Sequence, residues 1–179
     1  IKNEEGMAHF LEHMIFKGSK NLQEGEFDLK IESLGGSSNA ATGLDDVHYY
    51  VLVPPESTEE ALNLLLELLL FPKIGEKAFE LEKEVVLEEI SQNIDQPEEI
   101  IYMKLLKGCC SPHRYSRPIL GDTQTIKNLI PKQMKLFHRN HYVGANCTLC
   151  IAGKVPKEID SIMNNSKLNQ LKLITEKKD

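Results

Sequence analysis

The residues of this sequence best suited to chemistry are His9, Glu12 and His13, in the order H-x-x-E-H. On an α-helix, positions i and i+4 lie on one face with i+3 beside them, so these side chains would point into one small volume. Two neutral imidazoles at this spacing can bind Zn²⁺, and a nearby glutamate that does not bind the metal can take a proton from metal-bound water. The spacing predicts half of a metal site, with His9 and His13 as ligands and Glu12 as general base.

An exposed helix that carries three ordinary polar residues is the alternative interpretation of the same pattern. The neighbouring side chains argue against it, because they are apolar on nearly every side of the helix and so predict burial; they are Met7, Phe10, Leu11, Met14, Ile15 and Phe16. Two imidazoles and a carboxylate buried without partners would cost several kcal/mol. A bound metal would satisfy them directly.

A third ligand is expected, since a catalytic zinc usually has three protein ligands and one open position. A helix predicted over 76–96 carries one stripe at the 3.6-residue period, formed by Ala78, Glu82, Val85, Val86, Glu89 and Asn93. This phase favours Glu89 as the ligand, with Glu88 as the alternative. Glu82, two turns earlier, is either a carboxylate that orients a ligand histidine or metal-bound water, or a surface residue of a charged helix.

Composition excludes several classes of protein. The 179 residues are 41% hydrophobic and 27% charged with a net charge of −6, which is typical of a globular domain. Nucleic acid and anionic membrane are not expected as partners, because no basic run or basic helix face is present. No apolar stretch reaches the roughly 18 residues of a membrane span, and no signal peptide is visible in this sequence, which says little about the native protein. The sequence does not indicate a compartment.

The cysteines offer a second possible metal or redox site. Cys147 and Cys150 have C-x-x-C spacing, but they lie in an apolar run that predicts a buried strand, in which positions i and i+3 face opposite sides. Buried, reduced cysteines that pack as small hydrophobes are therefore the preferred interpretation.

The remaining pattern predicts many helices and few strands. Helices are expected over 6–16, 24–34, 57–70, 76–96, 97–107, 123–130, 132–141 and 156–163, and strands over 37–42, 47–53 and 146–152. Residues 43–46 are expected to form a hairpin turn, and 108–121 a long loop. We expect one domain over 1–163, followed by a polar, loosely held tail or linker over 164–179.

Several motifs together resemble one family. The segment H-F-L-E-H-M-I-F-K-G-S and the distant Glu89 resemble the pitrilysin or insulinase (M16) family of zinc peptidases, which includes the mitochondrial processing peptidase. Gly36 to Ala40, the strand around His48 and the loop His113 to Gly121 are similar to further motifs of that family. The resemblance runs from about residue 6 to residue 153. Arg114 and Lys154 depart from it, since Pro and Asp are frequent at those positions.

The resemblance implies a specific set of roles and an α+β fold with a mixed, mostly antiparallel sheet packed by helices. In that scheme His9, His13 and Glu89 bind Zn²⁺, Glu12 is the general base and Glu82 supports the site. Asn39 and Ala40 match the edge strand along which relatives bind substrate as an added strand. The resemblance also implies a homologous second domain or subunit, and a leading sheet strand that this sequence leaves no room for.

The function predicted from these patterns is zinc-dependent hydrolysis of peptide bonds in short or unfolded polypeptides. A catalytically silent zinc-binding subunit of a larger complex is one alternative, although such a subunit would not need Glu12. A metal-dependent binding module is another. Without the second domain, we expect this part of the protein to hydrolyse peptides slowly.

Overall fold

The computed structural model describes residues 4–171, apart from the side chain of Asn169. These residues form eight α-helices and one two-stranded antiparallel sheet, which confirms the α+β class. In chain order the elements are α1 (Met7–Ile15), α2 (Glu26–Ser33), β1 (Ser37–Thr42), β2 (Val47–Leu52), α3 (Thr58–Leu70), α4 (Glu76–Ile94), α5 (Pro97–Cys110), α6 (Thr123–Asn128), α7 (Pro131–His141) and α8 (Ile159–Asn165).

The described residues divide into two compact units. The first comprises residues 4–14, 40–48 and 74–134, and the second comprises residues 15–39, 49–73 and 135–171. Within the part of the chain that the structure describes, no helix has both the length and the apolar composition that a membrane span requires.

The first unit is built around α1 and α4. Five apolar residues of α1, at positions 7, 10, 11, 14 and 15, are at most 1% exposed, so the prediction of a buried motif helix is confirmed. Phe10 packs on Phe79 of α4 with ring centroids 4.6 Å apart, and each such buried side chain contributes about 2 kcal/mol. Val86 and Ile90 of α4 are buried in the same unit, as is Ile126 of α6. This packing fixes α1 against α4.

Two glycines allow the start of α1 to pack closely on a distant loop. Gly6 precedes α1 with φ 80°, and its carbonyl accepts the first helical hydrogen bond from Phe10 at 2.9 Å. A Cβ at Gly6 would overlap the Leu120 carbonyl, and one at Gly121 (φ 78°) would lie 2.7 Å from the Glu5 carbonyl oxygen. Only glycine satisfies both the positive φ and the close backbone approach.

The predicted hairpin is present. β1 and β2 are neighbours in the sheet, and the turn between them is closed by a 2.8 Å hydrogen bond from the Gly43 N–H to the Asp46 carbonyl. The Tyr115 hydroxyl donates its one proton to the carboxylate of Asp45, at the tip, and lies 2.8 and 2.7 Å from the two carboxylate oxygens; Asp45 also pairs with Arg114. The loop of residues 113–117 therefore holds the tip of the hairpin.

The second unit contains a buried carboxylate in a helix rich in leucine. Glu67 of α3 is 2% exposed. It accepts hydrogen bonds from Ser19 Oγ at 2.8 Å, from the backbone and side-chain amides of Asn21 at 3.1 and 3.0 Å, and from Lys167 Nζ at 2.7 Å. Lys167, which lies in the segment expected to be a loosely held tail, is thus bound to α3, while residues 172–179 of that segment lie outside the described residues. The division between a domain over 1–163 and a tail over 164–179 stays a prediction.

The predicted strand over 146–152 is wrong. A short 3₁₀ turn covers Gly144–Asn146, the residues that follow have no regular secondary structure, and Cys147 and Cys150 are exposed. A strand needs a neighbour to receive its backbone hydrogen bonds. In residues 4–171 the sheet consists of β1 and β2 alone. Residues 146–152 therefore have no neighbouring strand to pair with, although their composition is that of a strand.

Candidate metal centre

α1 brings two imidazole nitrogens together. His9 and His13 are one helical turn apart, and their Nε2 atoms lie 3.3 Å from each other with ring centroids 4.6 Å apart. His9 is 9% exposed, which follows from its place on a helix whose other faces are packed in the core. The predicted convergence of the two histidines is present.

α4 adds a carboxylate to this pair. Glu89 Oε2 lies 3.6 Å from the Nε2 atoms of both His9 and His13. These distances are too long for hydrogen bonds. They fit shared coordination, because a tetrahedral zinc with bonds of 2.0–2.1 Å holds its ligand atoms roughly 3.3–3.4 Å apart. In the part of the chain that the structure describes, these three residues are the one His/Cys/Asp/Glu group of metal-binding geometry.

Glu82 contacts the other ring nitrogen of His13. Its Oε1 lies 2.9 Å from His13 Nδ1, and Glu82 is 7% exposed. An ionised carboxylate can only accept, so His13 Nδ1 carries the proton and Nε2 keeps a lone pair directed at the cluster. The contact is the one expected of a carboxylate that supports a ligand histidine, and it removes the alternative of Glu82 as a surface residue.

His9 is held neutral by its surroundings. Burial, helped by the adjacent His13, lowers the pKa of His9 from 6.5 to about 4, against a smaller opposing effect of Glu12. At neutral pH the imidazole is therefore uncharged, as a metal ligand must be. Its Nδ1 atom is buried without a hydrogen-bond partner in the described structure. The neutral ring can still offer the lone pair of Nε2 to a metal, while Nδ1 stays unpartnered.

Glu12 lies outside the triangle of donor atoms. Its Oε2 accepts a hydrogen bond from the hydroxyl of Thr42, the last residue of β1. Thr42 was not among the site residues predicted from the sequence. The available signal was period-two alternation along β1, which gives Ser38, Ala40 and Thr42 the same intermediate burial.

The other residues considered from the sequence lie outside the group formed by His9, His13 and Glu89. Glu88 is exposed and accepts a hydrogen bond from Gln92 at 3.2 Å, away from the cluster. Asn39 and Ala40 lie in β1, three and two residues before Thr42. Cys147 and Cys150 are exposed and belong to no metal-binding group in residues 4–171. The structure therefore brings His9, His13, Glu82 and Glu89 together and leaves the two cysteines apart.

The chain is similar in sequence to several curated proteases. The chain is 33% identical over 152 residues to an uncharacterized zinc protease of Rickettsia felis, which corresponds to 85% of this chain and 37% of that protein. It is 31% identical over 153 residues to a probable mitochondrial-processing peptidase subunit beta of Arabidopsis thaliana, covering 86% of this chain and 29% of that one. The chain thus spans well under half the length of these relatives.

Solved structures and a family model agree with the sequence relatives. The crystal structure of a protease from Helicobacter pylori superposes with a TM-score of 0.90 at 29% identity, covering 99% of this chain and 43% of that chain. The model of the family described as Insulinase (Peptidase family M16) matches residues 1–123, more than half of the sequence. Together with the H-x-x-E-H helix and the distant glutamate, these matches show that the chain belongs to the M16, or insulinase, family of peptidases.

Proposed function

We propose that this chain forms the zinc-binding catalytic part of a metalloendopeptidase that hydrolyses peptide bonds in short or unfolded polypeptides. The observation that carries the proposal is the triangle of donor atoms from His9, His13 and Glu89, with edges of 3.3, 3.6 and 3.6 Å. A carboxylate next to that triangle, Glu12, is held by Thr42 and is left out of the donor set. A hydrolytic zinc site requires both, namely residues that bind the metal and a separate base that accepts a proton from water.

Each residue has a defined task in this scheme. His9 Nε2, His13 Nε2 and Glu89 Oε2 would hold Zn²⁺, which when bound lowers the pKa of water to about 7 and polarises a carbonyl oxygen. Glu12 accepts a proton at Oε1, since Oε2 is occupied by the Thr42 hydroxyl. Glu82 keeps the proton of His13 on Nδ1, and burial keeps His9 uncharged.

The substrate and the partner are carried over from the family. We expect Asn39 and Ala40 of β1 to contact the substrate backbone, and a homologous second domain or subunit to complete the enzyme. The catalytic domain would occupy 1–163 and 164–179 would lead toward the second domain. Relatives more than twice as long as this chain are consistent with such a partner.

The function is tested with the zinc-loaded full-length protein and an unstructured, quenched fluorescent peptide. Hydrolysis should cease with a chelator and return with Zn²⁺. Glu12→Gln should retain one zinc per chain while kcat falls about 10²- to 10⁴-fold, because the proton acceptor is lost and the ligands are not.

Three other outcomes would each point elsewhere. Stoichiometric zinc without hydrolysis by the wild-type protein would favour the silent subunit. Loss of zinc from Glu12→Gln would make Glu12 a ligand in place of a base. Recovery of hydrolysis after chelation without any added metal would contradict the mechanism.

A further inference from the structure

The contact between Thr42 and Glu12 joins two elements that are 30 residues apart in sequence. Thr42 Oγ1 donates to Glu12 Oε2, and both residues belong to the first compact unit. The donor is the last residue of β1 and the acceptor lies in the middle of α1. Neither the H-x-x-E-H spacing nor the triangle of donor atoms accounts for this contact.

The hydroxyl is well suited to hold a carboxylate in one orientation. Glutamate has several accessible rotamers and loses much side-chain freedom when fixed. Threonine is β-branched and has few χ1 states, so a threonine on a strand is a rigid donor. A hydrogen bond to Oε2 leaves the lone pairs of Oε1 available for a proton.

The strand that presents Thr42 is itself anchored. Three residues after Thr42, both carboxylate oxygens of Asp45 lie within hydrogen-bond distance of the Tyr115 hydroxyl, which donates its one proton to them, and Asp45 also pairs with Arg114. The turn between the strands is closed by the bond from Gly43 to Asp46. The end of β1 is therefore held from both the sheet and the 113–117 loop, and Thr42 does not depend on Glu12 for its position.

We propose that Thr42 is a positioning residue for Glu12, which fixes the carboxylate so that Oε1 faces the reacting water. This inference rests on the proposed function, because it assigns a purpose to the orientation of a general base. Thr42 acts through Glu12 and binds neither the metal nor the substrate in this scheme.

The kinetic test compares Thr42→Val with Thr42→Ser in the zinc-loaded full-length protein. Valine keeps the shape and removes the hydroxyl, so kcat should fall about 10- to 100-fold, while KM and zinc stoichiometry stay within about twofold. Serine keeps the donor and should restore most of kcat. Thr58→Val, which removes a hydroxyl that donates to the Pro55 carbonyl in the other unit, is the matched control and should leave kcat unchanged.

A double variant separates positioning from a general loss of structure. In a Glu12→Gln background, adding Thr42→Val should change the residual rate less than twofold, since the group to be positioned is gone. If Thr42→Val lowered the rate by the same factor in the wild-type and in the Glu12→Gln background, the proposal would be overturned. Thr42→Ala replaces the valine variant if the latter does not accumulate as folded protein.

Metal-free crystal structures of the wild type, Thr42→Val and Thr42→Ser give a readout that is independent of activity. The Glu12 side chain should leave its wild-type position in the valine variant and keep it in the serine variant. An unmoved Glu12 in Thr42→Val would overturn the proposal even if the rate fell. A wild type that binds zinc but hydrolyses nothing would refute the proposed function instead, and the crystal structures would still decide whether Thr42 orients Glu12.

Discussion

The three donor atoms of the candidate centre are held in three different ways. His9 is fixed by burial, His13 by the 2.9 Å contact to Glu82, and Glu89, whose side chain is 41% exposed, by its place on α4. Because Glu89 has the least support from its surroundings, its contribution to zinc binding depends most on which face of α4 it lies on. Substitutions at Glu89 and at the adjacent Glu88 should therefore have very different effects on zinc affinity.

Glu89→Gln should weaken zinc binding by two or more orders of magnitude, because an anionic ligand is replaced by a neutral amide. Glu88→Gln changes the same charge one residue earlier, on the exposed side, and should alter the zinc Kd less than twofold. Competition with a chromophoric chelator measures both constants. The reverse ranking of the two variants would place the ligand at Glu88 and refute the helix phase.

The convergence of His9, His13 and Glu89 could be predicted from the sequence because it depends on local periodicity. The i, i+4 spacing of His9 and His13 and the stripe through Glu82 and Glu89 are properties of single helices, which short segments largely determine. The Thr42 contact could not be predicted in this way. It depends on where the end of β1 lies relative to α1, and no local pattern encodes that distance.

At the scale of elements, the start of α1 is fixed by a close backbone contact between Gly6 and Gly121. Gly121 has φ 78°, and a Cβ there would lie 2.7 Å from the Glu5 carbonyl oxygen. Gly121→Ala should lower the free energy of unfolding by about 2–3 kcal/mol, from positive-φ strain and the clash together. Urea denaturation of the variant and the wild type measures the difference.

Gly108→Ala is the matched control. Gly108 lies inside α5 with open space around the position of a Cβ. Alanine there should raise the free energy of unfolding by about 0.5–1 kcal/mol, because it favours the helix. If the two variants were equally stable, the contact between Gly6 and Gly121 would not matter to the fold.

Helices were easier to predict than strands for a related reason. α1, α4 and α5 appear close to their expected bounds because apolar periodicity, and the proline that begins α5, are local signals. The run of 146–152 has the composition of a strand, but a strand exists only with a neighbour to pair with. The sequence of this run carries no information on whether a neighbouring strand is present. Within residues 4–171, no strand pairs with it.

At the scale of the molecule, Glu67 links three separate stretches of the second unit. Burial alone would raise the pKa of Glu67, but the hydrogen bonds from Lys167, Ser19 and Asn21 outweigh it, and the pKa is lowered from 4.5. The folded state therefore favours the ionised carboxylate. That stabilisation is complete above pH 4.5 and is lost as the pH falls through the lowered pKa.

Glu67→Gln should therefore cost about 1–3 kcal/mol at pH 7, because a buried charged acceptor is replaced by a neutral amide. The difference from the wild type should shrink as the pH falls below 4.5. Glu60→Gln, an exposed position in the same helix, should differ little from the wild type at any pH. Urea unfolding between pH 3 and 7 measures the curves, and a gap for Glu67→Gln that does not change with pH would contradict the assigned role.

The origin of the donor atoms has a consequence beyond catalysis. His13 is in α1 and Glu89 is in α4, so zinc bound as proposed would be a cross-link that closes the loop of residues 14–88. In an unfolded chain, closing a loop of that length costs entropy worth about 4 kcal/mol, as a disulfide would. Unlike a disulfide, this link forms and dissolves with metal supply, and its contribution to stability grows with free zinc by mass action. Under the proposed function, the concentration of free zinc would thus set how long this protein stays folded and resists proteolysis.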